Sequence, residues 1–161
     1  MSIDEREPFV NARFRVEIEG LQRTGAVEVI FPEARIVEGR GRARAVQYGH
    51  LTLRRGMTTS GEWYCWWDNA RVSARAARKT VTVVLMDRSR ADVNRWTFAG
   101  ALPSGYFVSQ LNALGNEPLI ETLELSVGGF RVAFGDSSDQ SDGNPEAGRR
   151  RRSHPRSLRQ G

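Results

Sequence analysis

The chain has 161 residues, 24 basic against 19 acidic, a formal charge of +5 and a hydrophobic content of 39%, the size and make-up of one soluble domain with its own core and a short appendage. No apolar run approaches the roughly 18 residues of a membrane span, and residues 1–8 carry Asp4, Glu5 and Glu7 in place of the apolar stretch of a secretory signal. A single cysteine, Cys65, excludes an internal disulfide framework and a cysteine-based zinc site, so folding in a reducing cytoplasm is expected.

Phe14, Val16 and Ile18 alternate with Arg13, Arg15, Glu17 and Glu19, the period-two pattern of a half-buried strand that ends at Gly20. Residues 26–31 and 34–38 read as two further strands with Pro32 near the break between them. Gly39-Arg40-Gly41-Arg42-Ala43-Arg44 reads as a glycine-punctuated basic loop, and residues 50–54 as a strand with Leu51 and Leu53 inward, closed by Gly56. Thr59 and Glu62 then stand at capping-box spacing. Trp63, Trp66, Trp67 and Ala70 follow at i, i+3, i+4 and i+7, one apolar helical stripe whose expected place is against a sheet rather than against bases or sugars.

Residues 80–86 are β-branched and nearly continuous in apolar character, as in a strand covered on both faces. Residues 87–91 supply a turn, 94–101 alternate through Trp96 and Phe98, and Pro103-Ser104-Gly105 reads as a corner. A long strand is expected over 119–127, with Ile120, Thr122 and Leu125 or their neighbours inward, and Gly128-Gly129 leads into a last strand at 130–134. About eight strands and one helix predict a mainly β (α+β) fold, an antiparallel sandwich or barrel carrying one packed helix. Beyond Phe134 only Ala147 and Leu158 are apolar, so the domain is expected to span 1–134 and residues 135–161 to form a disordered, Arg-rich tail. Within that tail Asp136, Asp139, Asp142 and Glu146 precede Arg149, Arg150, Arg151, Arg152, Arg156 and Arg159, a basic run able to bind nucleic acid, a membrane or an acidic surface.

Catalytic patterns are missing. His50 has no cysteine or carboxylate at ligand spacing and His154 falls in the tail, so no metal or cofactor is expected. No GxSxG elbow, P-loop or dinucleotide glycine pattern is present, and nothing supports a Cys65–His50 dyad. Glu121 and Glu124, three apart on one strand, point to opposite faces and do not make a two-carboxylate site. The expectation is a protein that is not an enzyme.

Three stretches carry a resemblance. The first is Pro8-Phe9-Val10-Asn11-Ala12-Arg13-Phe14-Arg15-Val16-Glu17-Ile18-Glu19-Gly20. The second is Tyr48-Gly49-His50-Leu51-Thr52-Leu53-Arg54-Arg55-Gly56-Met57-Thr58, running into the Trp-rich helix, with Arg54 and Gly56 at its turn. In the third, Trp96 and Pro103 precede Leu111-Asn112-Ala113-Leu114-Gly115-Asn116-Glu117 and Ile120-Glu121-Thr122-Leu123-Glu124-Leu125. Together, over residues 8–130, they resemble the contractile-tail tube protein family of phage tail tubes and extracellular contractile injection systems, with Asn112, Gly115, Asn116, Glu117, Glu121 and Glu124 among the matching positions.

The resemblance implies a structural role: hexameric rings stacked into a hollow tube, strands of each subunit joining a shared barrel around a lumen, and the helix outside. It also implies sheath and baseplate proteins as partners, a possible cargo in the lumen, and cytoplasmic assembly into a virion or injection particle. The family's longer excursion between its second and third strands is reduced here to 38–47, which leaves both a main-tube and an end-ring subunit open. Arg40, Arg42 and Arg44 are expected at the ring–ring interface or lumen mouth, against acidic residues of the next ring, the plain alternative being a solvated loop. A rival from another class is an Arg-rich nucleic-acid-binding β domain, drawing on the basic loop, the tail and the aromatics.

Overall fold

The computed structural model describes residues 13–22, 24–41 and 43–135. In chain order these form β1 (Phe14–Ile18), β2 (Glu28–Ile30), β3 (Ala34–Glu38), β4 (Arg44–Tyr48), β5 (His50–Gly56), α1 (Glu62–Val72), α2 (Ala74–Ala77), β6 (Lys79–Met86), β7 (Asp92–Val108), β8 (Ile120–Ser126) and β9 (Arg131–Phe134). Every pairing is antiparallel. The mainly β architecture is therefore as the sequence pattern predicts, with nine strands and two helices among the described residues where eight and one were expected.

One strand organises the sheet. The 17 residues of β7 pair through their first half with β6 and β9 and through their second half with β8. The result is two leaves, β1-β6-β7-β9 and β7-β8-β5-β2, joined where β7 bends. Two irregularities permit the bend. At Gly100 the backbone takes φ +65°, a left-handed conformation that a side chain disfavours, and the β6 register slips there. The β8 register slips again between Pro103 and Gly105, so the expected corner is a bulge inside one strand. At Gly105 an added Cβ would lie 3.0 Å from Glu124 Oε2 and from the Phe107 ring.

Period-two patterning fills the space between the leaves. Val16 and Ile18 of β1, Val81 and Val83 of β6, Phe98 and Ala101 of β7, Leu51 and Leu53 of β5, and Leu123 and Leu125 of β8 are all buried. Each large apolar side chain contributes about 1.5–3 kcal/mol on burial. Helix α1 inserts Trp63 and Trp66 into this core, with Trp67 and Ala70 packed at its margin, and the Trp66 indole N–H donates to the carbonyl of Ala77 in α2. The tryptophan stripe is thus a packing face.

Four local expectations need correction. The basic loop expected over 39–44 leads into a strand that the pattern did not show: β4 begins at Arg44 and makes a hairpin with β3, closed by the Gly39 N–H on the Ala43 carbonyl at 2.9 Å, with Gly41 at φ +72°. The sequence after it alternates only weakly, because both faces of the ribbon are largely exposed. Helix α1 has Gly61 at its N-cap and no side-chain cap; the Thr58 hydroxyl instead accepts from the Ser60 N–H at 3.2 Å, so Thr59 and Glu62 form no capping box. On β8 the core face is Glu121, Leu123 and Leu125, while Ile120 and Thr122 face the other way. The four-residue α2 falls below the length at which helical periodicity registers.

Candidate functional site

A buried polar cluster fixes how the second leaf meets the helix. Arg55 is on the core face of β5, below Leu51 and Leu53, and Glu121 is on the core face of β8. The Arg55 Nε–H donates to Glu121 Oε1, and the Tyr106 hydroxyl of β7 donates to Glu121 Oε2 at 2.8 Å. The Arg55 guanidinium lies 4.3 Å from the Trp63 ring centroid and reaches the Ser60 carbonyl at 3.4 Å. Both charges are nearly inaccessible, at 5% and 1% side-chain exposure. Burial, then the hydrogen bond to Glu121, pushes the Tyr106 phenol up to about 12. The arrangement holds five segments in one geometry.

Elsewhere the described residues offer no assembled reaction centre. Cys65 lines an open groove of about 670 Å³ with Leu21, Asn69 and Lys79, whereas His50 lines a different one with Glu33, Arg35 and Tyr48. The two do not meet. Glu124 is on the solvent face of β8, opposite in sense to Glu121. Among the described residues no three His, Cys, Asp or Glu side chains gather as a metal site, and no helix is long and apolar enough to cross a membrane.

What the molecule does present is surface. The second leaf turns His50, Thr52 and Arg54 of β5, Thr122, Glu124 and Ser126 of β8, and Glu28 of β2 to solvent, with Arg54 paired to Glu28 at 2.6 Å; this largely polar face also carries Ile30, Phe107 and Ile120. Among the described residues nothing pairs with the outer edge of β2 or with that of β7 over 105–108.

The two ends of this leaf differ from its face. At the Gly56 end, loop 109–119 is closed by the Ser109 N–H on the Ile120 carbonyl at 2.8 Å and the Ile120 N–H on the Ser109 hydroxyl at 2.9 Å. Inside it Asn112 accepts from the Leu114 and Gly115 N–H groups, which leaves Leu111 81% and Leu114 96% exposed. At the His50 end the β3–β4 hairpin departs, with Ile36 (64% exposed) directly opposite Val46 (49%).

Residues 10–131 match the family described as T4-like virus tail tube protein gp19. The chain belongs to that family. Membership makes it a structural tail-tube subunit, and solved structures share its fold. A chain of the anti-feeding prophage (AFP) baseplate, 6-fold symmetrised, is 23% identical with a TM-score of 0.58, covering 79% of this chain and 96% of that one. A chain of the sheath–tube complex of an extracellular contractile injection system, PVC, in its extended state gives 17% and 0.64, covering 82% and 95%. Hcp1 from Flavobacterium johnsoniae gives 20% and 0.53, covering 76% and 95%. No curated protein sequence matches significantly.

The residues singled out from the sequence of this tube protein fall in different parts of the fold. Glu121 is in the buried cluster, and Trp96 and Pro103 belong to the packed interior, Trp96 with its ring 5.0 Å from that of Phe31. Arg54, Gly56 and Glu124 belong to the polar face, while Asn112, Gly115, Asn116 and Glu117 are in the exposed loop. Arg40 and Arg44 are exposed at the hairpin tip, and Arg42 lies outside the described residues, as does the tail from residue 136. Sequence reasoning missed Arg55, Tyr106, Leu111 and Leu114 as players. For Arg55 a signal existed: it shares parity with Leu51 and Leu53.

Proposed function

We propose that the chain is one of six subunits of a ring, that rings stack into a hollow tube, and that the polar face of the second leaf lines its lumen. The observation that carries this reading is the open four-stranded leaf. It has one face in the core and one largely polar face in solvent and, among the described residues, an unpaired edge on β2 and another on β7. An isolated protein leaves such edges exposed to adventitious pairing, whereas a barrel closed across subunits pairs each with its neighbour. Six-fold symmetry is supported by the symmetry of the anti-feeding prophage baseplate that contains a chain of this fold. The sheath of the PVC complex supports a sheath partner outside the tube, and a baseplate is the natural nucleus for the first ring. Assembly begins in the cytoplasm and ends in a virion or injection particle.

Arg40, Arg42 and Arg44 act at the ring–ring contact. Replacing all three by Ser is expected to shorten tubes and lower their yield; tubes of unchanged length and yield overturn that role. The reading as a whole is tested by negative-stain microscopy with light scattering at about 50 mM and about 500 mM salt. Six-fold rings or hollow tubes at both salts are expected, because packed apolar contacts survive screening. A monomer that binds nucleic acid and releases it at the higher salt would replace the tube by the phosphate-binding alternative. Against that alternative, Trp63 and Trp66 are buried and the lumen-lining face carries Glu28 and Glu124 beside Arg54.

A further inference from the structure

The last strand ends beside a turn rich in arginine. Phe134 of β9 is opposite Asn94 of β7, and the Gly135 N–H donates to the Val93 carbonyl at 2.7 Å. Val93 stands two residues past the β6–β7 turn over 87–91, so the chain leaves the described fold about 7 Å along the strand from that turn. The turn carries Arg88 and Arg90, both exposed, and the Arg13 guanidinium donates to the Arg88 carbonyl. The neighbouring acids are already engaged. The Asp87 carboxylate accepts from the Ser89 N–H at 2.8 Å, the Ser89 hydroxyl at 2.7 Å and the Ala91 N–H at 2.9 Å, and Asp92 accepts from Arg15 and Arg95. Among the described residues no carboxylate pairs with Arg88 or Arg90. Arg90 also holds φ +67°, a left-handed conformation that no other non-glycine residue adopts among the described residues. An arginine where glycine would sit without strain argues for a use of its side chain.

We propose that the acidic half of the tail, with Asp136, Asp139, Asp142 and Glu146, docks on the β6–β7 turn of its own copy, where Arg13, Arg88 and Arg90 receive it. The contact goes beyond the tube reading and does not depend on it. Three features support it. Charge is complementary: residues 136–146 hold four acids and no base, and the turn offers arginines without carboxylate partners. The tether is short. Residues 136–146 reach no further than about 40 Å when fully extended, so the acids meet the turn at a high effective concentration. Exposed ion pairs too weak to hold two separate molecules together suffice under that condition. The order of signs is the third feature: the acids come first, next to the arginine turn, and Arg149, Arg150, Arg151, Arg152, Arg156 and Arg159 come after them. Docking then occupies the tail's acids and leaves those six arginines as an uncompensated cationic end.

The test uses the full chain and a glutamate-specific protease, read by intact mass. Cleavage after Glu146 releases residues 147–161. A docked acid is shielded, so the rate of cutting follows the fraction of tail that is open, and R88S/R90G should raise it about threefold or more at about 50 mM salt. Glycine suits the left-handed position, so that variant keeps its turn. D136N/D139N/D142N, which leaves the cleavage site intact, should raise the rate by a similar factor. The two sets combined should add little further, since both break one contact. At about 500 mM salt all the chains should be cut at one rate, because the pairs are screened. Equal rates for the parent and R88S/R90G at the lower salt overturn the docking and return the tail's acids to its own arginines or to solvent. Effects of the two sets that multiply overturn it too. So does a parent left uncut at both salts, the result of a tail covered by a neighbouring copy. The tube reading stands in each case.

Discussion

Leucine and isoleucine appear in this protein under opposite conditions. Between the leaves, Leu51, Leu53, Leu123 and Leu125 are wholly shielded and touch one another across β5 and β8. At the two poles of the second leaf, Ile36, Val46, Leu111 and Leu114 have no comparable cover. The first group stabilises the subunit and the second does not, so substitutions in the two regions should separate stability from assembly. In a subunit of a larger structural assembly, the exposed apolar residues are the informative ones.

The sharpest way to break the contrast is at the buried ion pair. Glu121→Ala leaves the Arg55 guanidinium without its carboxylate partner in a shielded site, and should cost about 3–5 kcal/mol in chemical denaturation. Replacing both partners by apolar residues, Arg55→Met with Glu121→Leu, should cost much less, since no orphaned charge remains. Equal losses from the single and double variants would show that packing, not charge, sets the penalty. Next in size is Leu53→Ala, expected to lose about 2–5 kcal/mol. Leu114→Ala, by contrast, should stay within about 0.5 kcal/mol of the parent. A polar-end variant that destabilises the subunit as much as the core variant would erase the distinction.

The same contrast explains what could be read in the sequence. β1, β5 and β6 each have a core on one side or both, and alternation or a continuous apolar run marks them. β4 lacks a core on either side, so Arg44-Ala45-Val46-Gln47-Tyr48 shows little pattern and its glycine-rich approach resembles a loop. β8 misleads for a different reason. Its core face begins with Glu121, and a carboxylate at a core position argues for the wrong parity unless its partner is known. That partner, Arg55, hides beside Arg54, which carries the same charge on the opposite face and pairs with Glu28. Sequence pattern reports burial by residue type, and a buried salt bridge defeats it at both ends. The exposed loop is invisible for the complementary reason: leucines at 111 and 114 look like core until their surroundings are known.

Tyr106 gives a smaller effect with a pH signature. Its folded-state value of about 12 lies above the ordinary 10.0 because burial and the Glu121 carboxylate disfavour the phenolate. A raised value means that the folded state holds the proton more tightly. The associated stability is complete below pH 10 and is lost as pH rises towards about 12. Tyr106→Phe removes one hydrogen bond to a charged acceptor and should cost about 1.5–3 kcal/mol at neutral pH. It should also lose the additional alkaline weakening shown by the parent. Parallel stability curves for the two proteins between pH 9 and 12 would sink this assignment.

The smallest expected effect is on the outer face of the first leaf, away from both the core and the poles. Arg15 grips both oxygens of Asp92 and also reaches Glu17, while Arg95 donates to Asp92 at 3.2 Å. Val84, whose cross-strand neighbours are Arg15 and Arg95, is fully buried on the outward side of β6, so the arginine stems roof a methyl-bearing position that would otherwise face water. The hydrogen bond from Arg15 holds the Asp92 carboxyl below its usual range. A lowered value contributes stability that is present above the unfolded carboxylate's pKa of about 3.9 and disappears as pH falls through the folded value. Asp92→Asn should therefore lower the urea midpoint at pH 7, and the gap from the parent should shrink at pH 3, below the unfolded carboxylate's pKa, and narrow in high salt. A gap of the same size at both pH values would mean that Asp92 acts by shape, holding the two arginines over Val84, and that its charge contributes nothing.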